Sequence, residues 1–211
     1  MPEISAVVCT YNRSESLRDT LRALKGQELR DGLLLEILVV GNNSRDRTRQ
    51  VGEEEAQESR WPIRYIFETA QGLNYARNRG VNESQGEFIA FTDDDVIPDP
   101  QWAHELWKTA NAHQADCVGG KILPLWFEQA PSWMERHRVK HHFWGAFALL
   151  DRGPEVIVAN APDGNFLYGG NIAYRRPVLE EVGIFRTDLG PKGSSPSEGT
   201  IPRCWAASQE R

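Results

Sequence analysis

Short apolar runs alternate with amphipathic stretches along the first half of the chain. Four runs rich in β-branched or aromatic residues have the length of buried strands, at 4–10, 35–40, 63–67 and 87–92. After the first run, Leu17, Leu21 and Leu24 recur at helical spacing, and Ser14 is the expected N-cap of that helix. This alternation is typical of βαβ units. It predicts an α/β fold with a doubly wound, mostly parallel sheet and helices on both faces.

The rest of the chain has a weaker pattern. A second helix is predicted over about 45–58, a further helix follows Pro98, and a strand is expected over 116–122. The stretch 124–147 is rich in Trp, Phe and His and has no assignable period. Because the sequence has 211 residues and neither an internal repeat nor an evident linker, we expect a single domain.

Charge and cysteine content narrow the class of protein. The sequence has 24 basic and 30 acidic residues, a net charge of −6, which argues against broad binding to nucleic acid or to an anionic membrane. Its three widely spaced cysteines suit a reducing compartment. Neither a signal sequence nor an apolar run of the ~20 residues that span a bilayer is seen. We expect a cytoplasmic protein, with any membrane contact peripheral and at the inner face.

Polar clusters follow three of the predicted strands, at 10–14, 41–44 and 93–95. The carboxyl ends of parallel strands meet at one edge of a sheet, so these clusters should face one crevice. Extended backbone would place Asp93 and Asp95 on one face, about 6.6 Å apart, and Asp94 on the other. Mg²⁺ or Mn²⁺ uses one or two carboxylates and completes its shell with substrate phosphates. The triplet therefore predicts a metal and diphosphate site, and the alternative is a solvated acidic turn.

Five motifs in order resemble those of family 2 glycosyltransferases. They are Val7 to Arg13, Glu36 to Val40 with Asn42-Asn43-Ser44, Gly72 with Ala76-Arg77-Asn78, Phe91 to Asp95, and Gly169-Gly170-Asn171. The resemblance covers about residues 4–190. It implies a GT-A fold, a nucleoside diphosphate sugar donor, Mg²⁺ or Mn²⁺, and inverting transfer to a sugar or glycolipid acceptor. It also implies cell-surface polysaccharide or glycoconjugate synthesis.

The resemblance implies roles for individual residues. The expected nucleotide-sugar contacts are Thr10, Tyr11, Arg13, Asn42, Arg77, Asp93 and Asp94. Asp95 is the expected main metal ligand, with Asp93 as a second. The expected acceptor-side residues are Gly169, Gly170, Asn171 and Trp133. On this basis the nucleotide-sugar part covers about 1–122, the acceptor-side part about 123–199, and an atypical tail 200–211.

Two features depart from the family pattern. Gly41 stands where the family usually has an aspartate that accepts a hydrogen bond from the base, so Asn42 or Asn43 is expected to replace it. The general base that inverting transfer needs usually comes from a Glu-Asp pair after a glycine-rich loop. Residues 190–199 resemble that loop, but no such pair follows. Glu198 is the candidate base, although a truncated or altered C-terminus, with donor binding and poor transfer, is the more economical expectation.

Two other functions stay open at this point. A nucleotidyltransferase also binds nucleotides on such a sheet, and it would release pyrophosphate from a nucleoside triphosphate. A catalytically impaired module would bind the donor and metal without turnover. Other classes of site lack support, because His137 and His141 have no accompanying metalloprotease glutamate and no P-loop, dinucleotide-binding or nucleophile-elbow motif occurs.

Overall fold

A six-stranded sheet forms the centre of the computed structural model, which describes residues 1–125, 150–151, 153–159 and 167–190. The strands are β1 (Ile4–Thr10), β2 (Leu35–Asn42), β3 (Ile63–Glu68), β4 (Phe88–Asp93), β5 (Cys117–Gly119) and β6 (Asn171–Arg175). Their order is β3-β2-β1-β4-β6-β5. Strands β1 to β4 are mutually parallel, and β6 runs antiparallel to β4 and β5. The predicted α/β fold with a mostly parallel sheet is confirmed.

Five helices cover the two faces of this sheet in the described part of the chain. They are α1 (Ser14–Lys25), α2 (Thr48–Gln57), α3 (Leu73–Glu83), α4 (Trp102–Ala112) and α5 (Arg176–Val182). Ala6 and Val8 of β1 point into the core beneath α1, α2 and α4, whereas Val7 points into the core beneath α3 and α5. This alternation explains why the strands are apolar on both faces. No helix among the described residues is long and apolar enough to cross a bilayer.

One aspartate caps two helices. Asp46 accepts a hydrogen bond at 3.1 Å from the backbone N–H of Ser14, the first residue of α1, through Oδ2. Its Oδ1 accepts from the N–H of Thr48 at 3.0 Å, and from the Thr48 hydroxyl, at the start of α2. The prediction that Ser14 itself caps α1 is therefore wrong, since the capping carboxylate comes from a distant loop. The second helix also starts later than predicted, and β5 is shorter than the expected strand over 116–122.

The carboxyl ends of the central strands form one edge, which we call the carboxyl edge and define by the ends of β1, β2 and β4. Thr10 pairs with Gly41 across β1 and β2, and Cys9 pairs with Asp93 across β1 and β4. The three polar clusters predicted to share a crevice thus meet here.

Two asparagines of α3 hold the segment that follows α5 against this edge. Asn78 exchanges two hydrogen bonds with the Phe185 backbone, at 2.8 and 2.9 Å. Asn74 donates to the carbonyls of Arg186 and Leu189 at 2.7 and 3.0 Å. The chain up to residue 190 is therefore fixed beside the start of α3.

Asp46→Ala is expected to lower the free energy of unfolding by about 1–2 kcal/mol, because α1 and α2 both lose a cap. The hydrogen bonds that Asp46 accepts outweigh its burial and lower its pKa. The stabilisation should thus be present above the unfolded pKa of about 3.9 and disappear as pH falls through the lower folded value.

Urea denaturation of the variant and the wild type at pH 7 and at pH 3 tests this cap. Asp19→Ala is the matched control, because Asp19 is exposed and its carboxylate lies 3.8 Å from Arg22 on the same helix. That change should alter stability by less than about 0.5 kcal/mol. Equal stability of the two variants would contradict the shared cap.

Candidate functional site

The aspartate triplet straddles the end of β4. The strand ends at Asp93, and Asp94 and Asp95 form a turn, so the alternation expected for extended backbone does not continue through the triplet. Asp94 and Asp95 instead share one partner from the β1–α1 loop. Arg13 Nη1 lies 3.3 Å from Asp94 Oδ1 and 2.6 Å from Asp95 Oδ2. The structure therefore brings three of the predicted site residues into direct contact.

Negative charge is concentrated at this edge and only partly balanced. Burial raises the pKa of Asp93, and the Arg77 guanidinium opposes that rise. Burial also raises the pKa of Asp94, and Arg13 is among the groups that oppose it. The Asp95 side chain is 54% exposed. The Asp95 carboxylate is thus accessible to a ligand. Asp93 and Asp94 are buried, and a positive charge placed near them would stabilise their ionised forms.

The Gly169-Gly170 turn packs against the inner side of the same cluster. A Cβ on Gly170 would lie 2.7 Å from Asp93 Oδ2, and one on Gly169 would overlap Arg77 Nη2. Only glycine leaves room for both charged side chains at this distance. The predicted close approach of this turn is therefore directed at Asp93 and Arg77. Its assignment to the acceptor and transferred sugar stays a prediction.

Asn171 has a structural role that the sequence did not indicate. Its Oδ1 accepts a hydrogen bond from the Trp102 indole at 2.9 Å, and its Nδ2 donates to the Lys121 carbonyl at 3.0 Å. The side chain thereby fixes the glycine turn to α4 and to the segment after β5. Trp102 lies on the helix predicted after Pro98, and its spacing on that helix gives no sign of the indole contact. The predicted acceptor contact of Asn171 is not tested by these bonds.

Asn42 is likewise engaged within the protein. Its Nδ2 donates to the Ala70 carbonyl at 2.6 Å, and its Oδ1 accepts from Gly72 N–H at 2.8 Å and from Gln71 Nε2 at 3.2 Å. These bonds shape the loop that leads into α3. A nucleotide contact by Asn42 stays a prediction, and it would require the exchange of at least one of these bonds.

The space beside Gly41 is occupied by another side chain. A Cβ on Gly41 would lie 2.7 Å from Tyr65 Cζ and would overlap the Tyr65 hydroxyl. Nearer the backbone end of the same side chain, a Cβ on Gly52 would lie 3.2 Å from Tyr65 Cδ2. The aromatic ring therefore fills a slot between β2 and α2 that exists because both positions are glycine. Tyr65 was not among the predicted site residues, although the glycine at position 41 was a signal of an unusual packing partner.

An open groove of about 540 Å³ runs along the carboxyl edge from the triplet to the β2–α2 loop. Its lining residues are Asn12, Arg13, Ser14, Glu15, Ser16, Asp46 and Asp95. Two bonds tie its walls together, from Asn12 N–H to Ser44 Oγ at 3.1 Å and from Arg45 N–H to Asn12 Oδ1 at 2.8 Å. Thr10 is buried at the base of this loop and Tyr11 is 38% exposed.

Cys9 lies at the same edge, where burial favours its protonated thiol. Burial raises the pKa of its thiol to about 12, with Arg77 opposing the rise and Asp93 adding to it. The thiol is therefore neutral near pH 7, and the thiolate is the reactive form.

Carboxylates such as those of the aspartate triplet are suitable ligands for a hard divalent cation that also binds phosphate. Within the described residues no group of three or more His, Cys, Asp or Glu side chains is arranged to hold a metal ion. Mg²⁺ and Mn²⁺ need only one or two carboxylates when phosphate oxygens complete the shell. Asp93 and Asp95 supply that number of carboxylates. Trp133 and Glu198, predicted as acceptor contact and general base, lie outside the described residues.

Comparison with known proteins gives the family. The sequence matches the model of Glycosyl transferase family 2 over residues 5–183. A relative, the glucosyl-dolichyl phosphate glucuronosyltransferase of Haloferax volcanii, is 27% identical over 194 residues, or 90% of this chain and 58% of that protein. The chain thus spans little more than half of that relative's length.

Two solved glycosyltransferase structures have the same fold. Mannosyltransferase PcManGT from Pyrobaculum calidifontis in complex with GDP-Man and Mn²⁺ has a TM-score of 0.66 at 22% identity, over 90% of this chain and 49% of that one. S. aureus TarS 1-349 in complex with UDP-GlcNAc has a TM-score of 0.63 at 23% identity, over 90% of this chain and 50% of that one. These neighbours confirm the expected GT-A fold. Because the family model matches most of the chain, the chain belongs to glycosyl transferase family 2.

Proposed function

We propose that this chain contains the donor site of an inverting transferase that moves a sugar from a nucleoside diphosphate sugar to a hydroxyl of a sugar or glycolipid acceptor. One observation carries the proposal. Three carboxylates, two arginines and a glycine turn meet at the carboxyl edge of a sheet of this family. We propose that this transfer serves cell-surface polysaccharide or glycoconjugate synthesis and takes place in the cytoplasm, at the inner face of the membrane.

Asp95 and Asp93 are the residues that would hold Mg²⁺ or Mn²⁺. The cation would neutralise the charge that develops on the diphosphate leaving group. Asp95 is solvent-exposed and faces the groove, whereas Asp93 is largely enclosed by Arg77 and the glycine turn. We assign Asp95 as the main ligand for this reason.

Arg13 changes partner when the donor binds, in this proposal. In the free protein its guanidinium neutralises Asp94 and Asp95. A cation at Asp95 removes the need for that partner, and an anionic diphosphate in the groove supplies a new one. Arginine suits both partners, because its planar fork pairs equally with carboxylate and phosphate oxygens. Thr10, Tyr11 and Arg77 complete the proposed nucleotide pocket.

The acceptor side is proposed to include the glycine turn, with Trp133 as an acceptor contact. Proton removal from the acceptor hydroxyl requires a base, and Glu198 remains the candidate. We propose that about 1–122 bind the nucleotide sugar and about 123–199 serve the acceptor. Pyrophosphate release from a nucleoside triphosphate would instead indicate a nucleotidyltransferase, and donor binding without turnover would indicate an impaired module.

Asp95→Asn should weaken Mn²⁺-dependent binding of UDP or GDP by about tenfold or more, since a charged metal ligand is lost. Titration calorimetry with and without Mn²⁺ measures this. Glu15→Gln is the control, because Glu15 lines the same groove without belonging to the triplet. If wild-type affinity for both nucleotides is independent of Mn²⁺, the proposed metal site is wrong.

Arg13→Gln should have opposite effects on two ligands. Affinity for Mn²⁺ alone should rise by about 3- to 10-fold, because an ion pair no longer competes for Asp95. Affinity for the nucleotide diphosphate in saturating Mn²⁺ should fall. Electron paramagnetic resonance of free Mn²⁺ reports the first effect and calorimetry the second. Arg30→Gln, which removes an exposed charge far from the triplet in sequence, should change neither. A fall in both affinities would rule out the exchange of partners.

Gly169→Ala should weaken nucleotide binding by displacing Arg77. If that is its mode of action, the effect should largely disappear in an Arg77→Lys background, with a coupling energy of about 1 kcal/mol. A double-mutant cycle of calorimetric affinities tests this, with unfolding free energies measured for all four proteins. Additive effects would show that the glycine turn does not act through Arg77.

A further inference from the structure

Tyr65 is a large side chain on β3, the strand at the edge of the sheet beside β2. It lies on β3 opposite Val39, and its ring extends along the sheet toward the carboxyl edge as far as Gly41. Glycine at 41 leaves room for the hydroxyl end of the ring, and glycine at 52 leaves room for the end nearer the backbone. Because positions 41 and 52 carry no side chain, the Tyr65 ring fits between β2 and α2 and its hydroxyl reaches the end of β2.

The hydroxyl is available to a ligand. No hydrogen bond of the Tyr65 hydroxyl to a described residue is found, and the side chain is only half-buried. Burial raises the pKa of the phenol, with Arg49 opposing the rise and Asp46 adding to it. The phenol is therefore protonated near pH 7 and can both donate and accept a hydrogen bond.

The end of β2, which the Tyr65 hydroxyl reaches, lies on the same edge of the sheet as the aspartate triplet. Asp46, whose charge acts on the Tyr65 phenol, lines the same groove as Asp95. Strand order places β1 between β2 and β4, so the ends of β2 and β4 are two strand spacings apart, about 10 Å. A diphosphate held at Asp95 would then direct its ribose and base along the groove toward the end of β2.

The two asparagines at the end of β2 are already engaged within the protein, and Asn43 Nδ2 donates to Gln71 Oε1 at 3.2 Å. The carboxamide of Asn42 makes three hydrogen bonds to residues 70–72, and these shape the loop before α3. The phenol of Tyr65 has no such commitment. It is therefore the better-placed group to meet the polar edge of a base.

We propose that the Tyr65 hydroxyl, set in the slot between Gly41 and Gly52, hydrogen-bonds the nucleobase of the donor and contributes to the choice of base. The proposal rests on the proposed donor site. A phenol meets either an N–H or a carbonyl of the base edge, unlike a carboxylate, which only accepts. A base would therefore not need an N–H at this position in order to form a hydrogen bond with Tyr65.

Tyr65→Phe tests the hydroxyl without removing the ring that fills the slot. In saturating Mn²⁺, calorimetry should show affinity for UDP or GDP reduced by about 3- to 10-fold, as for one lost hydrogen bond. Affinity for inorganic pyrophosphate, which has no base, should be unchanged. Gly41→Ala provides a second variant, because its Cβ would displace the hydroxyl and should cause the same base-dependent loss.

The outcomes separate the two proposals. Wild-type binding of nucleotides that depends on Asp95, with unchanged affinity in Tyr65→Phe, would overturn the role of Tyr65 and leave the donor site standing. An equal loss for pyrophosphate and nucleotide would also overturn it, since the effect would not involve the base. Absence of nucleotide binding to the wild type would overturn both. Unfolding free energies of the variants establish that each one is folded.

Discussion

The need to balance negative charge at the end of β4 governs the arrangement of this molecule. Three consecutive carboxylates are held where two of them are shielded from water, and such charges are costly unless positive groups lie nearby. The fold supplies those groups from two directions. Arg13 comes from the loop after β1, and Arg77 comes from the first turns of α3. A cation and a diphosphate complete the same balance in the proposed donor complex.

The order of the strands brings these groups together. Because β1 lies between β2 and β4, its end separates the aspartates from the slot that holds Tyr65. The shared cap on Asp46 fixes α1 relative to α2. Asn12, in the loop between β1 and α1, is hydrogen-bonded to Ser44 and Arg45 in the loop between β2 and α2. The groove is therefore built from the first turn of α1 and from loops that hydrogen bonds hold together, all of them outside the sheet.

Much of the fold was predictable, because strand length and helical spacing are local properties of the sequence. The carboxyl edge was predictable for the same reason, since polar residues follow β1, β2 and β4 directly. The contacts between distant segments were not. Nothing near Ser14 shows that Asp46 caps its helix, nor does the spacing around Trp102 reveal its bond to Asn171. Gly41 was visible as a departure from the family, but the side chain that fills its place comes from another strand.

The asparagine clamp of α3 has a consequence for protein engineering. Asn74 and Asn78 hold the backbone of 185–189 through four hydrogen bonds, and Arg77 lies on the same helix between them. The path of the chain is thus anchored at a fixed point beside the helix that carries Arg77. In a chimera joined just after residue 189, the backbone before the junction would be held by Asn74 and Asn78. Segments from other members of the family that are joined at this point would meet a backbone that α3 already holds.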